Sequence, residues 1–253
     1  GILIPIFYSK EQYGYMIIVI VFAILDIIFA YICNEYQKEL FLRRRFTSEL
    51  LEEFSSLIKS LSIFVENDSN WKRKIYRTTS EMVCDKLYNI FKDVFKCETR
   101  ISVEYTFQKR LATNKFEKQV RMAGRKSRHR SQTRKAIPLE RKKKYHSYQI
   151  FINNNLGMNI LKADDIKDDS IWYKNPDNNV DVKRYIGIAV SVLDNKEVNF
   201  ILQIDFLDDF KFGKHDTEEE IKNFVDNYLL SYINVVTLSY LLNLNGKKEL
   251  IEV

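Results

Sequence analysis

The sequence predicts an α+β fold: a mostly antiparallel sheet with helices on one face, behind an N-terminal transmembrane helix and a helical stalk. Three observations predict it. One apolar run, residues 15–33, lies near the start. Two neighbouring runs near the end, 185–193 and 197–207, alternate like paired strands. Helix-period stretches stand before and after the strand-like runs. With 253 residues, 45% hydrophobic content and only 7 Gly and 3 Pro, the chain can bury a core and is not a disordered composition.

The chain begins at Gly1, read as a processed or truncated terminus. Residues 1–14 are expected to be an extracytoplasmic turn or the end of an earlier span, since 2–7 (ILIPIF) are apolar too. Residues 15–33, YMIIVIVFAILDIIFAYIC, are expected to form a transmembrane helix, roughly 28 Å long against a bilayer core of about 30 Å. Asp26 costs about 3 kcal/mol near mid-membrane. The 12 Ile, Leu, Val and Phe residues return about 0.3–0.6 kcal/mol each, so insertion is still favoured. Asp26 reads as a pairing residue for another helix rather than a proton path, because no partner base stands near it in the run. Lys38, Arg43, Arg44 and Arg45 follow the span and hold the C-terminal part in the cytoplasm, placing the protein in the inner (cytoplasmic) membrane.

Residues 34–70 form the connector. Leu50, Phe54, Leu57, Leu61 and Phe64 follow coiled-coil spacing. A dimer stalk and a helix packed on its own domain both fit, and a homodimer or higher oligomer is the expected assembly.

Residues 71–253 are the cytoplasmic domain. Thr78 and Glu81 have capping-box spacing ahead of a helix marked by Met82, Val83, Leu87, Ile90, Phe91, Val94 and Phe95. Residues 99–107 (TRISVEYTF) alternate as a half-buried strand, and 148–152 read as a second strand. Residues 157–175 read as loop and short helix. A hairpin follows, turning at Asp194, Asn195 and Lys196. Thr217 and Glu220 cap a long last helix whose buried face runs through Ile221, Phe224, Val225, Tyr228, Leu229, Tyr232, Val235 and Val236.

The run IGIAVSVLDNKEVNFILQIDFLDDFKFGKHDTEEEIKNFVDNYLL resembles the C-terminal half of a GAF domain, and LKADDIKDDSIWYK is similar to the segment that GAF domains place over their ligand pocket. The likeness covers about 80–242. It departs from the family pattern at Phe200, where a Gly is common, and at a basic insert, 108–145. The resemblance implies a sensory or regulatory domain that binds a cyclic nucleotide, a tetrapyrrole or a small metabolite, or only a partner protein. It puts Asp165, Trp172, Tyr173, Tyr185 and Asp205 around the ligand.

Charge is uneven. Residues 1–107 hold 14 basic and 14 acidic residues, 108–144 hold 15 and 2, and 145–253 hold 11 and 18. The middle stretch, with Arg121, Arg125, Lys126, Arg128, Arg130, Arg134, Lys135, Arg141, Lys142, Lys143 and Lys144, lacks apolar periodicity and reads as a mobile loop. Anionic lipid, nucleic-acid phosphate or no partner at all would each suit it.

Three cysteines without a CxxC pair argue against a disulfide framework and a zinc site, and no phosphate loop, nucleophile elbow or HExxH run is present. The sequence therefore reads as no enzyme and as holding no metal. Three functions stay open: a membrane-anchored sensor, a bacterial defence effector whose membrane helices assemble and perturb the bilayer, and a membrane tether for nucleic acid.

Overall fold

Alternation at 99–107 becomes the centre of a six-stranded sheet. Helix α1 (Trp71–Asp93) leads into β1 (Thr99–Arg110), β2 (Phe116–Lys126) and the short β3 (Ile137–Pro138). A single helical turn at Leu139–Lys142, α2 (His146–Asn153), β4 (Gly157–Leu161) and α3 (Ala163–Lys167) follow. Then come β5 (Arg184–Val190), β6 (Phe200–Phe206), α4 (Glu218–Phe224), a wider π-helical turn (Val225–Leu229) and α5 (Leu230–Lys248). The strand order is β3-β2-β1-β6-β5-β4, with antiparallel pairing throughout.

This computed structural model describes residues 71–112, 114–128, 136–173, 181–192, 196–213 and 215–248, and single helical positions between 24 and 63. The chain divides into two units, residues 1–50 and 51–253. In the first, Ile24, Leu25, Ile27, Ile28, Phe29 and Tyr31 are helical and exposed. Among the described residues no helix is long and apolar enough to cross a membrane. The remainder of the expected span, Asp26 included, lies outside the described residues, as do Leu50, Phe54, Leu57, Leu61 and Phe64.

Strand periodicity divides the sheet into two faces. On one, Phe200 and Phe206 of β6 and Tyr105 of β1 meet the helices. Tyr76 of α1 lies edge-on to Tyr105 (5.2 Å) and to Tyr240 of α5 (5.0 Å), and Phe91 meets Phe206 at 5.3 Å. Phe200, the departure from the family pattern, fills this layer against Tyr76 and Tyr240. Gly124 of β2 permits the closest approach of α1, for a Cβ there would fall on the Ser80 backbone. The opposite face lies under α2 and α3, with Tyr148, Ile150, Phe151, Ile166 and Tyr185 in its core.

The β5–β6 pairing forms as expected, in the register Tyr185↔Asp205, while Asp194 and Asn195 of the expected turn lie outside the described residues. The second capping box also forms: the Glu220 N–H donates to Thr217 Oγ1 (3.2 Å), and the Thr217 N–H donates to the Glu220 carboxylate (2.9 Å). Four expectations are corrected. Thr78 and Glu81 lie inside α1, in which Ile75 and Tyr76 ahead of them are already buried. Residues 148–152 belong to α2, two turns that close on Asn154 in the left-handed region (φ 52°). Residues 157–161 form an edge strand rather than a loop. The basic stretch is not one loop, for 116–126 form β2, paired with β1 from Ile101↔Lys126 to Arg110↔Phe116. Only Gln119, Val120, Ala123 and Gly124 of β2 are buried; Arg121 is exposed while Arg125 turns inward, so the strand shows no apolar alternation.

Candidate ligand-binding face

Cross-strand register builds the site. Tyr185, Asp205 and Arg100 form one row, and Gly187, Gln203, Ser102 and Arg125 form the next. Glu104 stands one row further, opposite Ile201. All of them project toward α2, on the face away from α1 and α5. Gly187 has no side chain because the Tyr185 ring lies over it, and the Tyr185 hydroxyl donates to Gln203 Oε1 at 3.4 Å.

Arg100 Nε donates to Asp205 at 2.5 Å, in a pair whose side chains are only 15% and 10% exposed. Arg125 sits beside this pair and beside Glu104. Burial pulls the Arg125 guanidinium below its ordinary range, and Arg100 adds repulsion that Asp205 and Glu104 partly offset. Burial likewise pushes the Glu104 carboxyl up, against the pull of Gln203 and Arg125. At the start of α2, burial lowers the His146 imidazole, and Asp165 opposes the shift. The His146 ring stands edge-on to Tyr185 at 5.2 Å, and Trp172 lies 5.4 Å from Tyr185. On this face three sealed atoms, Glu104 Oε2, Arg125 Nε and His146 Nε2, have no hydrogen-bond partner among the described residues. Such groups are costly to leave unpaired, so a ligand that satisfies them gains affinity.

The five expected residues divide. Tyr185, Trp172 and Asp205 share this face. Asp165 caps α3, accepting from the Lys162 N–H at 2.8 Å. Tyr173 packs on Tyr145 at 5.0 Å, under Lys144. Arg100, Glu104, Arg125, His146 and Gln203 were missed. Their one signal is the polar half of the β1 alternation, which looks like a solvent face until β2 and β6 flank it. Among the described residues, no group of three or more His, Cys, Asp or Glu is placed to hold a metal ion.

The rest of the basic set disperses. Arg121 covers the Phe107 ring (5.2 Å), Lys126 pairs with Asp85 (2.5 Å), and Lys142 lies over Tyr145 (4.5 Å). Arg128, Arg141, Lys143 and Lys144 are exposed, while Arg130, Arg134 and Lys135 lie outside the described residues.

No protein-family model matches the chain, and no curated protein matches it in sequence. Among solved structures, the A. aeolicus nlh2 GAF domain in an inactive state is 12% identical, with a TM-score of 0.44 over 77% of this chain and 98% of that one. The GAF domain of an Acinetobacter phosphoenolpyruvate-protein phosphotransferase is 10% identical, with a TM-score of 0.40 over 75% of this chain and 95% of that one. A segment of a methyl-accepting chemotaxis protein is 11% identical, with a TM-score of 0.38 over 72% of this chain and 99% of that one.

Proposed function

We propose that this chain is a membrane-anchored regulatory protein, not an enzyme, whose GAF-like domain takes a small polar molecule against the Arg100–Glu104–Arg125 face of the sheet. Occupancy is transmitted through the helical stalk. The observation that carries the reading is the trio of sealed, unpartnered atoms at Glu104, Arg125 and His146 on one face. They ask for a ligand that places an anionic or carbonyl acceptor against Arg125 and a donor against Glu104. A nucleotide or other metabolite bearing both groups fits, with Trp172 and Tyr185 as its apolar wall. The anchor rests on the apolar run at 15–33 and the basic residues after it.

Self-association belongs to the same reading. Leu230, Asn234 and Leu238 recur every fourth residue along α5 and are exposed, an apolar-edged stripe suited to a second copy.

The test is thermal denaturation of the full chain in detergent against nucleotides and fractionated cell metabolites. A ligand that raises the melting temperature of the wild type, but not of Arg125→Met or Glu104→Leu, supports the proposal. No shift with any fraction, or equal shifts in both variants, would sink it.

A further inference from the structure

The hairpin tip between β1 and β2 has no part in the ligand reading. There the chain turns through residues 111–115, closed by the Leu111 N–H donating to the Lys115 carbonyl (2.8 Å) and the Asn114 N–H donating to the Leu111 carbonyl (3.0 Å). Asn114 takes the left-handed conformation (φ 59°) the turn needs, and Arg110 donates to its side chain at 3.0 Å. The tip is thus a built turn. At its base Phe116, paired with Arg110, is 68% exposed.

Antiparallel pairing brings other loops to the same end of the sheet. β1 and β5 finish there, and β4 and β6 begin there. Leu156, just before β4, is 45% exposed. Lys109, Arg110, Lys115 and Lys196 are exposed at this end. Among the described residues, the acids at this end are engaged: Glu117 accepts from Gln119 (2.6 Å) and Glu197 from Lys118 (3.1 Å).

We infer that this end of the sheet docks on an anionic lipid surface, with the Phe116 ring entering the headgroup layer and Lys109, Arg110 and Lys115 facing the phosphates. An exposed ring ringed by basic side chains matches that interface in both halves: the aromatic partitions into the boundary, and each basic residue near the surface adds attraction. Single-stranded nucleic acid fits less well. It needs successive rings to stack successive bases, and Phe116 is the one aromatic residue between 108 and 144. The inference stands apart from the ligand reading and from the anchor, because it concerns the depth of one side chain.

The experiment places a reporter at that side chain. Full-length Phe116→Trp is reconstituted into vesicles of brominated phosphatidylcholine, with and without brominated phosphatidylserine, and its fluorescence is compared with the wild type, which carries Trp71 and Trp172. Bromine quenches only indoles at lipid depth. Docking predicts extra quenching from position 116 in the anionic vesicles alone. The gain should vanish in a Lys109→Glu, Lys115→Glu background, which keeps the Arg110–Asn114 bond. No extra quenching in either vesicle, or equal quenching in both, overturns the inference. So does a position-116 signal that answers to single-stranded RNA and not to lipid.

Discussion

The two faces of the sheet use the same strands for opposite purposes. Toward α1 and α5 stand Ile101, Val103, Leu202, Ile204 and Phe206, all fully buried. One residue along each strand, the other face presents Arg100, Ser102, Glu104, Gln203 and Asp205. Apolar burial is non-directional and stabilises wherever surfaces meet. Buried charges instead lose hydration and repay it only through well-placed partners. The helix face therefore holds the fold together, while the polar face carries a cost that only well-placed partners offset.

The largest expected effect tests the helix face. Phe206→Ala removes a ring that stacks on Phe210 at 5.1 Å and meets Phe91 at 5.3 Å. It should cost about 3–5 kcal/mol in denaturant melts. A loss below about 1 kcal/mol would mean that this face is not the stabilising one.

Gly124→Ala comes next. Its Cβ would push α1 off β2 at Ser80, at a cost of about 1–3 kcal/mol, read from the same melts. An unchanged midpoint would show that α1 can shift without loss.

Arg184→Met probes the rim. Arg184 Nη1 donates to Asp216 Oδ1 at 2.6 Å and joins β5 to the turn before α4. The pair is mostly buried, so its loss should cost about 1–2 kcal/mol. The guanidinium holds the Asp216 carboxyl below its ordinary range. The stability this lends is full above the ordinary carboxylate value of about 3.9 and is lost as pH falls through the lowered one. Wild type and variant should therefore converge in acid melts, and a gap that persists at pH 2 would place the effect elsewhere.

The smallest effect has the opposite sign. Burial raises the Glu104 carboxyl, so its contribution to stability is present below about pH 4.3 and is lost as pH rises through the raised value. Without ligand, Glu104→Gln should match or exceed the wild-type melting temperature at pH 7, and the gain should disappear toward pH 4. A loss as large as that of Phe206→Ala would erase the distinction between the faces.

Where local chemistry decides, the sequence was legible. The capping box at Thr217 and Glu220 and the hairpin of β5 and β6 depend on residues a few positions apart. Reading failed where a neighbour elsewhere in the chain decides. At 148–152 strand alternation and a short helix stripe look alike over five residues, and the seat above the sheet selects the helix. β2 was hidden because its charged side chains mask a strand whose pairing with β1 supplies the order. Of the residues that the family resemblance puts around a ligand, Tyr185, Trp172 and Asp205 lie on the polar face. Arg100, Glu104 and Arg125, their neighbours there, carry no such signal, because nothing in their own segments distinguishes a polar side chain facing water from one facing α2.

The sequence by itself determined the helix-and-strand grammar, the apolar run at 15–33 and the concentration of basic residues between 108 and 144. Only the tertiary structure decided that Arg125 turns inward beside Glu104 while Arg121 stays outside, and that Phe116 stands bare at a hairpin end. Periodicity and caps act over a few residues and are written locally. Burial of a polar group depends on which strands and helices lie beside it, and register across β1, β2 and β6 brings those together from positions about a hundred residues apart.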